Sequence, residues 1–401
     1  MDLLAIAYVV HVKTPGHFGG EARSYQVALA LAQNSLQVDL YGAVDVAGDW
    51  PRGVNPVRLQ GPFPLGIFQL WHRFRQQRPV ISIERYQFPL FNVAFWTQYW
   101  RRQPILMEVH GFPIDEFQLM QKDISINKVD KITWLMSKIP TSLLERVQAF
   151  IFRRVTHFIV TSYGTKAILG QLGVPASKVT VIYNSVDADK FNPALYDKET
   201  ARRAFNVPVG RPIVLYAGSF HEELLTVLQA VKNVVTQNKE IFFIFVSSGD
   251  TTLVNNRLKE LGLTEENILL REAVDHHEMP KLLATANVIL APYTLNSERF
   301  KKAFHYSPLK VMEALAMGKK VITVNADELL TVFDGVSNVE FAQAGSVVSW
   351  GEEILLAIDC QDDKDLGEGR AFILDGYQWA DVGRKYRQLI EKFMVGGATD
   401  E

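Results

Sequence analysis

From Ile213 onward the chain alternates short apolar runs with helical patterns, and that alternation leaves few folds open. The runs Ile213–Ala217, Ile241–Val246, Ile268–Leu270, Val288–Ala291 and Val321–Val324 are separated by helical patterns at 222–236, 252–261 and 278–285, and by one opening at Ser307. Several of these runs are continuously apolar rather than alternating, as strands covered on both faces must be. Parallel strands need a crossover between them, usually a helix, so the second half predicts a doubly wound α/β domain.

The first half repeats the theme less cleanly. An apolar run at 3–10 leads through a loop ending Gly19-Gly20 into a helical pattern from Glu21 to Gln33 and a strand at Val38–Val44. Further strands are expected at Val80–Ile83, Ile105–Val109, Phe158–Thr161 and Val179–Tyr183. The polar stretch 184–211, with Pro193 and Pro208, reads as a linker. A last helical pattern, about Ala380 to Phe393, either finishes the second domain or crosses back to the first. A chain of 401 residues accommodates two such domains.

Bulk charge excludes some functions. A net charge of −2 with a pI near 6.5 gives no general attraction to nucleic acid. Cys360 is the single cysteine, so no internal disulfide forms, and Met1-Asp2 runs into an apolar segment without a basic leader, which reads as cytoplasmic. No apolar run approaches the roughly 18 residues a membrane span needs, so contact with a membrane would be peripheral. Neither half carries a Walker loop or a Gly-x-Gly-x-x-Gly after a strand, so ATP and dinucleotides lack their usual signature.

The stretch from His305 to Val321 is the richest in chemistry. Ser307 can cap a helix, Pro308 fits its first position, and the N–H groups of Leu309 and Lys310 then face whatever precedes the helix, where anions bind readily. Glu313 lies one turn further on, where a carboxylate can accept paired hydrogen bonds from a ribose diol, and Gly318 ends the helix. An ordinary capped helix with a surface glutamate fits the same residues.

Taken together, the chain resembles glycosyltransferase family 4 of the GT-B fold. The resemblance rests on Phe18-Gly19-Gly20-Glu21, Val160-Thr-Ser162-Tyr-Gly-Thr-Lys166, Gly173-Val-Pro175, Val181-Ile-Tyr-Asn184-Ser-Val-Asp187 and Phe191-Asn-Pro193. It continues with Leu215-Tyr-Ala-Gly218-Ser219, Ala286-Asn-Val-Ile-Leu-Ala-Pro292, the 305–321 segment and Trp379 before the last helix. It implies two doubly wound Rossmann-like α/β domains facing each other across a cleft: an acceptor-side domain at 1–195, a nucleotide-sugar domain at 196–378, and a helix at 379–401 packing back on the first. The implied reaction is hexosyl transfer, with retention, from a UDP- or GDP-sugar to a hydroxyl acceptor that is carbohydrate, lipid-linked or a small molecule. Neither a cofactor nor a metal is expected, and nucleic acid is not an expected partner. Asp187-Ala-Asp189 imitates a metal-binding pair but sits where relatives have a linker aspartate.

By position, the resemblance implies that Glu313 binds the ribose, that the backbone at Leu309 and Lys310 with Gly218, Ser219, His305 and Ser307 surrounds the diphosphate and sugar, and that Ala273 and Val274 lie beside the base. Gly19 and Gly20 would let backbone approach the ligand, and His110 matches the histidine that contacts the donor sugar. Lys310 and His110 are therefore the expected catalytic residues.

Two departures from the family pattern matter. The run Gly218-Ser-Phe-His-Glu222-Glu223-Leu224 has no lysine to grip the diphosphate, and its acids are expected to point outward or the grip to have moved. The cations Arg299, Lys301, Lys302 and Lys310 are the candidate replacements. Eight positions before Glu313, His305 stands where the family has a glutamate, and Glu298 is the candidate to contact the sugar instead. These losses also support a second reading, a catalytically weak GT-B protein that binds a nucleotide sugar or a partner without transfer. Epimerisation would need a pair of acid/base side chains around the sugar, and no such pair is evident.

From Trp71 to Arg102, cations and aromatics interleave. An amphipathic face lying on an anionic membrane would look so, and so would a core helix carrying Phe91, Phe95 and Tyr99. The segment 121–155 is a second candidate surface for peripheral membrane contact through the first domain, at the inner face of a membrane.

Overall fold

The computed structural model describes residues 4–10, 19–48, 50–59, 65–77, 79–112, 114, 139–219, 222–248, 252–295, 307–360 and 363–395. They form two compact units, one within Met1–Tyr183, His305–Ser307 and Trp379–Glu401, the other within Asn184–Phe304 and Pro308–Gln378.

The first unit is built on β1 (Leu4–Val9), β2 (Leu36–Gly42), β3 (Val54–Arg58), β4 (Ile81–Arg85), β5 (Ile105–Val109), β6 (His157–Val160) and β7 (Val179–Val181). They pair in parallel in the order β3-β2-β1-β4-β5-β6-β7. Sheet growth reverses between β1 and β4, and ligands of open parallel sheets bind outside the carboxyl ends of strands at such a point. Helices α1 (Gly19–Gln33), α2 (Leu65–Gln77), α3 (Val93–Tyr99), α4 (Thr141–Arg154) and α5 (Tyr163–Gln171) connect the strands. Pro56 lies within β3, a position tolerated because that strand is at the sheet edge.

The second unit repeats the plan. Strands β8 (Ile213–Ser219), β9 (Phe242–Ser248), β10 (Ile268–Glu272), β11 (Val288–Ala291), β12 (Lys320–Val324) and β13 (Val339–Ala342) run parallel in the order β10-β9-β8-β11-β12-β13, with the reversal between β8 and β11. Its helices are α6 (Lys198–Ala204), α7 (Glu222–Gln237), α8 (Thr252–Glu260), α9 (Met279–Thr285), α10 (Leu309–Ala316), α11 (Asp327–Phe333), α12 (Val347–Asp359) and α13 (Asp363–Leu374). The stretch expected to be a linker is structured. Asp197 caps α6 by accepting from the Thr200 N–H, α6 packs on α9, and Arg370 of α13 donates to the carbonyls of Ala188 and Phe191.

The last helix, α14 (Trp379–Val395), belongs to the first unit and lies along α1. Val382, Tyr386 and Ile390 recur at helical spacing and are buried with Ile6, Tyr8, Leu31 and Val38. Burying three such side chains contributes on the order of 5–8 kcal/mol before conformational entropy is charged against it. Gly383 permits the close approach of the two helices, because a Cβ there would sit 2.5 Å from the Ala30 carbonyl oxygen. Among the described residues no helix is long and apolar enough to cross a membrane.

Candidate functional site

The carboxyl end of β8 is where the second unit concentrates its chemistry. Lys310, in the first turn of α10, extends its ammonium over the rings of Tyr216 and Tyr293, 4.9 and 5.6 Å from their centroids. Gly218 must be glycine for this to happen: a Cβ there would lie 2.3 Å from Lys310 Nζ and 2.9 Å from Tyr216 Oη. Burial pulls the Lys310 pKa down to about 8, against the opposing effect of Glu313. Residues 218–224 carry no lysine or arginine, and α10 brings the Lys310 ammonium to this end of the strand.

The start of α10 corrects one expectation. Pro308 is the N-cap, with no side-chain cap bond, rather than the first helical residue behind a Ser307 cap. The Met312 N–H donates to the Pro308 carbonyl at 3.1 Å, so the helix hydrogen-bond ladder begins one residue later than expected. The amides of Leu309, Lys310 and Val311 form its first turn, and such amides have no acceptor within their own helix. An anion placed there meets these donors, the positive end of the helix and the Lys310 ammonium together.

Glu313 is buried, and its Oε1 is 2.8 Å from His276 Nε2. His276 follows β10 and packs its ring against Phe191 at 5.6 Å, while its carbonyl accepts from Lys190 Nζ at 3.1 Å. Burial lowers the Lys190 pKa, opposed by Glu313 and Asp187. Glu313 is therefore one member of a carboxylate, imidazole and ammonium cluster rather than a solitary ribose acceptor. Asp187 Oδ1 accepts from the Lys190 N–H, a local turn contact.

Of the two alternatives for the acids at 222–223, Glu223 does not take the outward one. Its carboxylate turns inward, accepting from the Gly345 N–H at 2.9 Å and from Trp350 Nε1 at 2.8 Å, and burial raises its pKa. These donors offset the desolvation that would otherwise forbid a buried carboxylate. The α7 acid is in this way withdrawn into the packing against α12.

In the first unit, His110 follows β5, and its Nε2 is 3.5 Å from Glu108 Oε2. Glu108 is fully buried and also accepts from the hydroxyls of Tyr8 and Tyr386, with the Arg23 guanidinium 3.9 Å away. Burial alone would raise the Glu108 pKa; the His110 hydrogen bond, Arg23 and Tyr386 outweigh it and hold it at about 2. Burial, with the charges of Arg23 and Arg85, lowers His110 to about 4 even though Glu108 opposes them. At neutral pH the pair is an ionised carboxylate and a neutral imidazole. Nε2–H then donates to Glu108, which leaves Nδ1 as an acceptor.

Of the other expected residues, Gly19 and Gly20 open α1, Ser219 ends β8, and Ala273 and Val274 follow β10, exposed and half-buried respectively. Arg271 turns away from them to donate to the Phe205 carbonyl. Glu298, Arg299, Lys301, Lys302 and His305 lie outside the described residues. Sequence reasoning missed Glu108, Tyr8, Arg23 and Tyr386, and also His276 and Tyr216. Glu108 did carry a signal, a carboxylate inside the apolar strand Ile105–Val109.

Residues 19–190 match the family described as Glycosyltransferase Family 4, and residues 211–359 match Glycosyl transferases group 1. No curated protein matches the chain significantly by sequence. Among solved structures, the chain is similar to sucrose-phosphate synthase from Thermosynechococcus elongatus, at TM-score 0.71 and 16% identity over 98% of this chain and 99% of that one. It is similar to a glycosyltransferase from Rickettsia africae, at TM-score 0.70 and 15% identity over 98% and 99%. The Anabaena protein HepE, solved with UDP and glucose, gives TM-score 0.68 and 14% identity over 97% and 100%.

Proposed function

The chain belongs to glycosyltransferase family 4, with the GT-B fold, and from that premise we propose that it moves a hexosyl group, with retention, from a UDP- or GDP-sugar to a hydroxyl acceptor. The observation that carries this reading is the convergence of the Lys310 ammonium and the first amides of α10 at the carboxyl end of β8. Those donors suit a diphosphate, and HepE binds UDP and UDP-glucose on the same fold.

In this proposal the second unit holds the donor. Lys310 and the 309–310 amides take the diphosphate, Gly218 and Ser219 admit it closely, and Glu313 with His276 takes the ribose hydroxyls. Ala273 and Val274 flank the base. Residue Ser307 and, from outside the described residues, His305, Glu298, Arg299 and Lys302 are assigned to the phosphate and sugar surroundings. Gly19 and Gly20 admit the sugar from the first unit, and His110 accepts a sugar hydroxyl at Nδ1. No protein nucleophile is invoked and no metal is required in this scheme. The rate comes from positioning and from stabilising negative charge on the departing diphosphate.

A thermal-shift panel of UDP, GDP, ADP and their sugars tests the donor. A true donor at about 100 times its dissociation constant stabilises by about 2.7 kcal/mol, and no response to any of them sinks the proposal. Alanine at Glu313 should remove the shift, whereas His110→Ala should keep it and lower turnover. The absence of any cation in residues 218–224 favours one rival, a protein that binds nucleotide sugars without transferring them. Tight donor binding with neither donor hydrolysis nor transfer would select that rival.

A further inference from the structure

Helices α2 and α3 leave an aromatic face uncovered. Leu70 and Phe74 of α2 are fully buried, and Phe95 of α3 with them, whereas Phe68, Trp71 and Trp100 are 66%, 42% and 80% exposed. Together with Ile67, Leu90 and Trp96 these three line one open apolar cavity of about 500 Å³. The stretch that read either as a core helix or as a membrane face has a buried side and an exposed aromatic side. A cluster of exposed aromatics of this kind marks a contact surface.

Charge says what it contacts. Between Trp50 and Met107 the sequence carries eight arginines, no lysine and a single carboxylate, Glu84. That carboxylate is fully buried, accepting from the N–H groups of Ala94 and Phe95, so this stretch brings no negative charge to the surface. The excess is local, since the whole chain is −2. Arg75 lies over the Trp71 ring at 4.7 Å, Arg101 donates to the Phe74 carbonyl, and Arg102 follows Trp100 as an exposed residue. An acidic protein or a nucleic acid would satisfy the arginines but would leave the apolar cavity wet. A bilayer with anionic headgroups satisfies both: indole rings favour the headgroup level, and arginines reach phosphates while their stems lie along apolar surface.

We propose that this face docks on an anionic lipid bilayer, with Phe68, Trp71 and Trp100 entering the boundary between headgroups and acyl chains and Arg75, Arg101 and Arg102 contacting lipid phosphates. The proposal rests on the surface alone and does not depend on the donor assignment.

The test is flotation of the full chain with phosphatidylcholine vesicles, with and without phosphatidylglycerol, alongside quenching of tryptophan emission by brominated acyl chains. Binding should require phosphatidylglycerol, weaken as salt is raised and bring quenching with it. Each arginine at such a surface changes partitioning about fivefold, so Arg75→Glu with Arg102→Glu should lower it at least about 25-fold. Trp100→Ser should weaken binding and reduce the quenching. Circular dichroism confirms that the variants keep their fold, and if the arginine pair does not, Trp100→Ser and the salt series on the natural chain decide. The proposal fails if the chain stays in solution with phosphatidylglycerol vesicles, binds neutral and anionic vesicles alike, or binds an acidic peptide or RNA but no vesicle.

Discussion

At the scale of single residues, the protein relies on side chains whose protonation is set by burial. Lys310 is the clearest, an ammonium held at about 8 between two tyrosine rings. Only its charged form attracts a diphosphate, so donor affinity, and with it kcat/KM, should fall as pH rises through about 8. A Lys310→Arg variant should stay flat there, because guanidinium does not titrate in that range. Gly218→Ala should displace the amine at unchanged fold and weaken donor binding about tenfold to a hundredfold, the scale of one lost charge-assisted hydrogen bond. Calorimetric titration with the nucleotide measures both. His110 behaves oppositely to a pH sensor. With its folded pKa depressed to about 4, its unfolded form binds a proton that the native form does not, so stability is lost as pH falls from about 6.5 to about 4. Glu108, depressed to about 2, adds its own loss below about pH 4.5, and both losses act on acidification. Urea midpoints across that range should show the His110 portion flattened in His110→Gln.

At the scale of elements, α14 brings a residue from the far end of the chain to the surroundings of His110. Tyr386 reaches Glu108 across 278 positions of sequence, and Gly383 allows α14 close enough to α1 for that contact. Tyr386→Phe should cost about 1–3 kcal/mol by leaving a buried carboxylate one donor short. Gly383→Val should cost more and lower turnover with it, because moving α14 withdraws the hydroxyl that holds Glu108 and thereby His110. Chemical denaturation and steady-state kinetics on the two variants separate these effects. The second unit's strands from β8 to β12 and the helices between them were legible because continuous apolar runs and helical periodicity report local burial directly. The edge strand β3 was not: it contains a proline and two exposed polar residues, Asn55 and Arg58, so its pattern is weak. The α10 helix was legible as a helix, but its cap was off by one residue, since Pro308 can stand at either N1 or the N-cap. The inward turn of Glu223 and the buried place of Glu108 were not legible for one reason. Whether a carboxylate faces water or buried donors depends on partners far along the chain, Trp350 for one and Tyr386 for the other.

At the scale of the whole molecule, the path of the chain makes the two units unequal. The second is continuous in sequence apart from a short interruption before Pro308, and its sheet, from β8 to β13, is complete within 213–342. The first draws its final helix from the far end of the chain, and Val382, Tyr386 and Ile390 of that helix are core residues rather than a covering. A fragment spanning 184–378 should therefore fold by itself with a cooperative melt and retain nucleotide binding through Lys310 and Glu313. A fragment ending at Tyr183 should not, because Ile6, Tyr8 and Val38 would lose the apolar surface α14 provides, and Glu108 would lose a hydroxyl donor in the core. Adding a peptide of residues 379–395 to the second fragment should restore helical signal and protection of the β1 and β5 amides from hydrogen exchange. If instead residues 1–183 alone exchange as slowly as they do in the intact chain, α14 is an ornament to the first unit and the dependence of Glu108 and His110 on it is wrong.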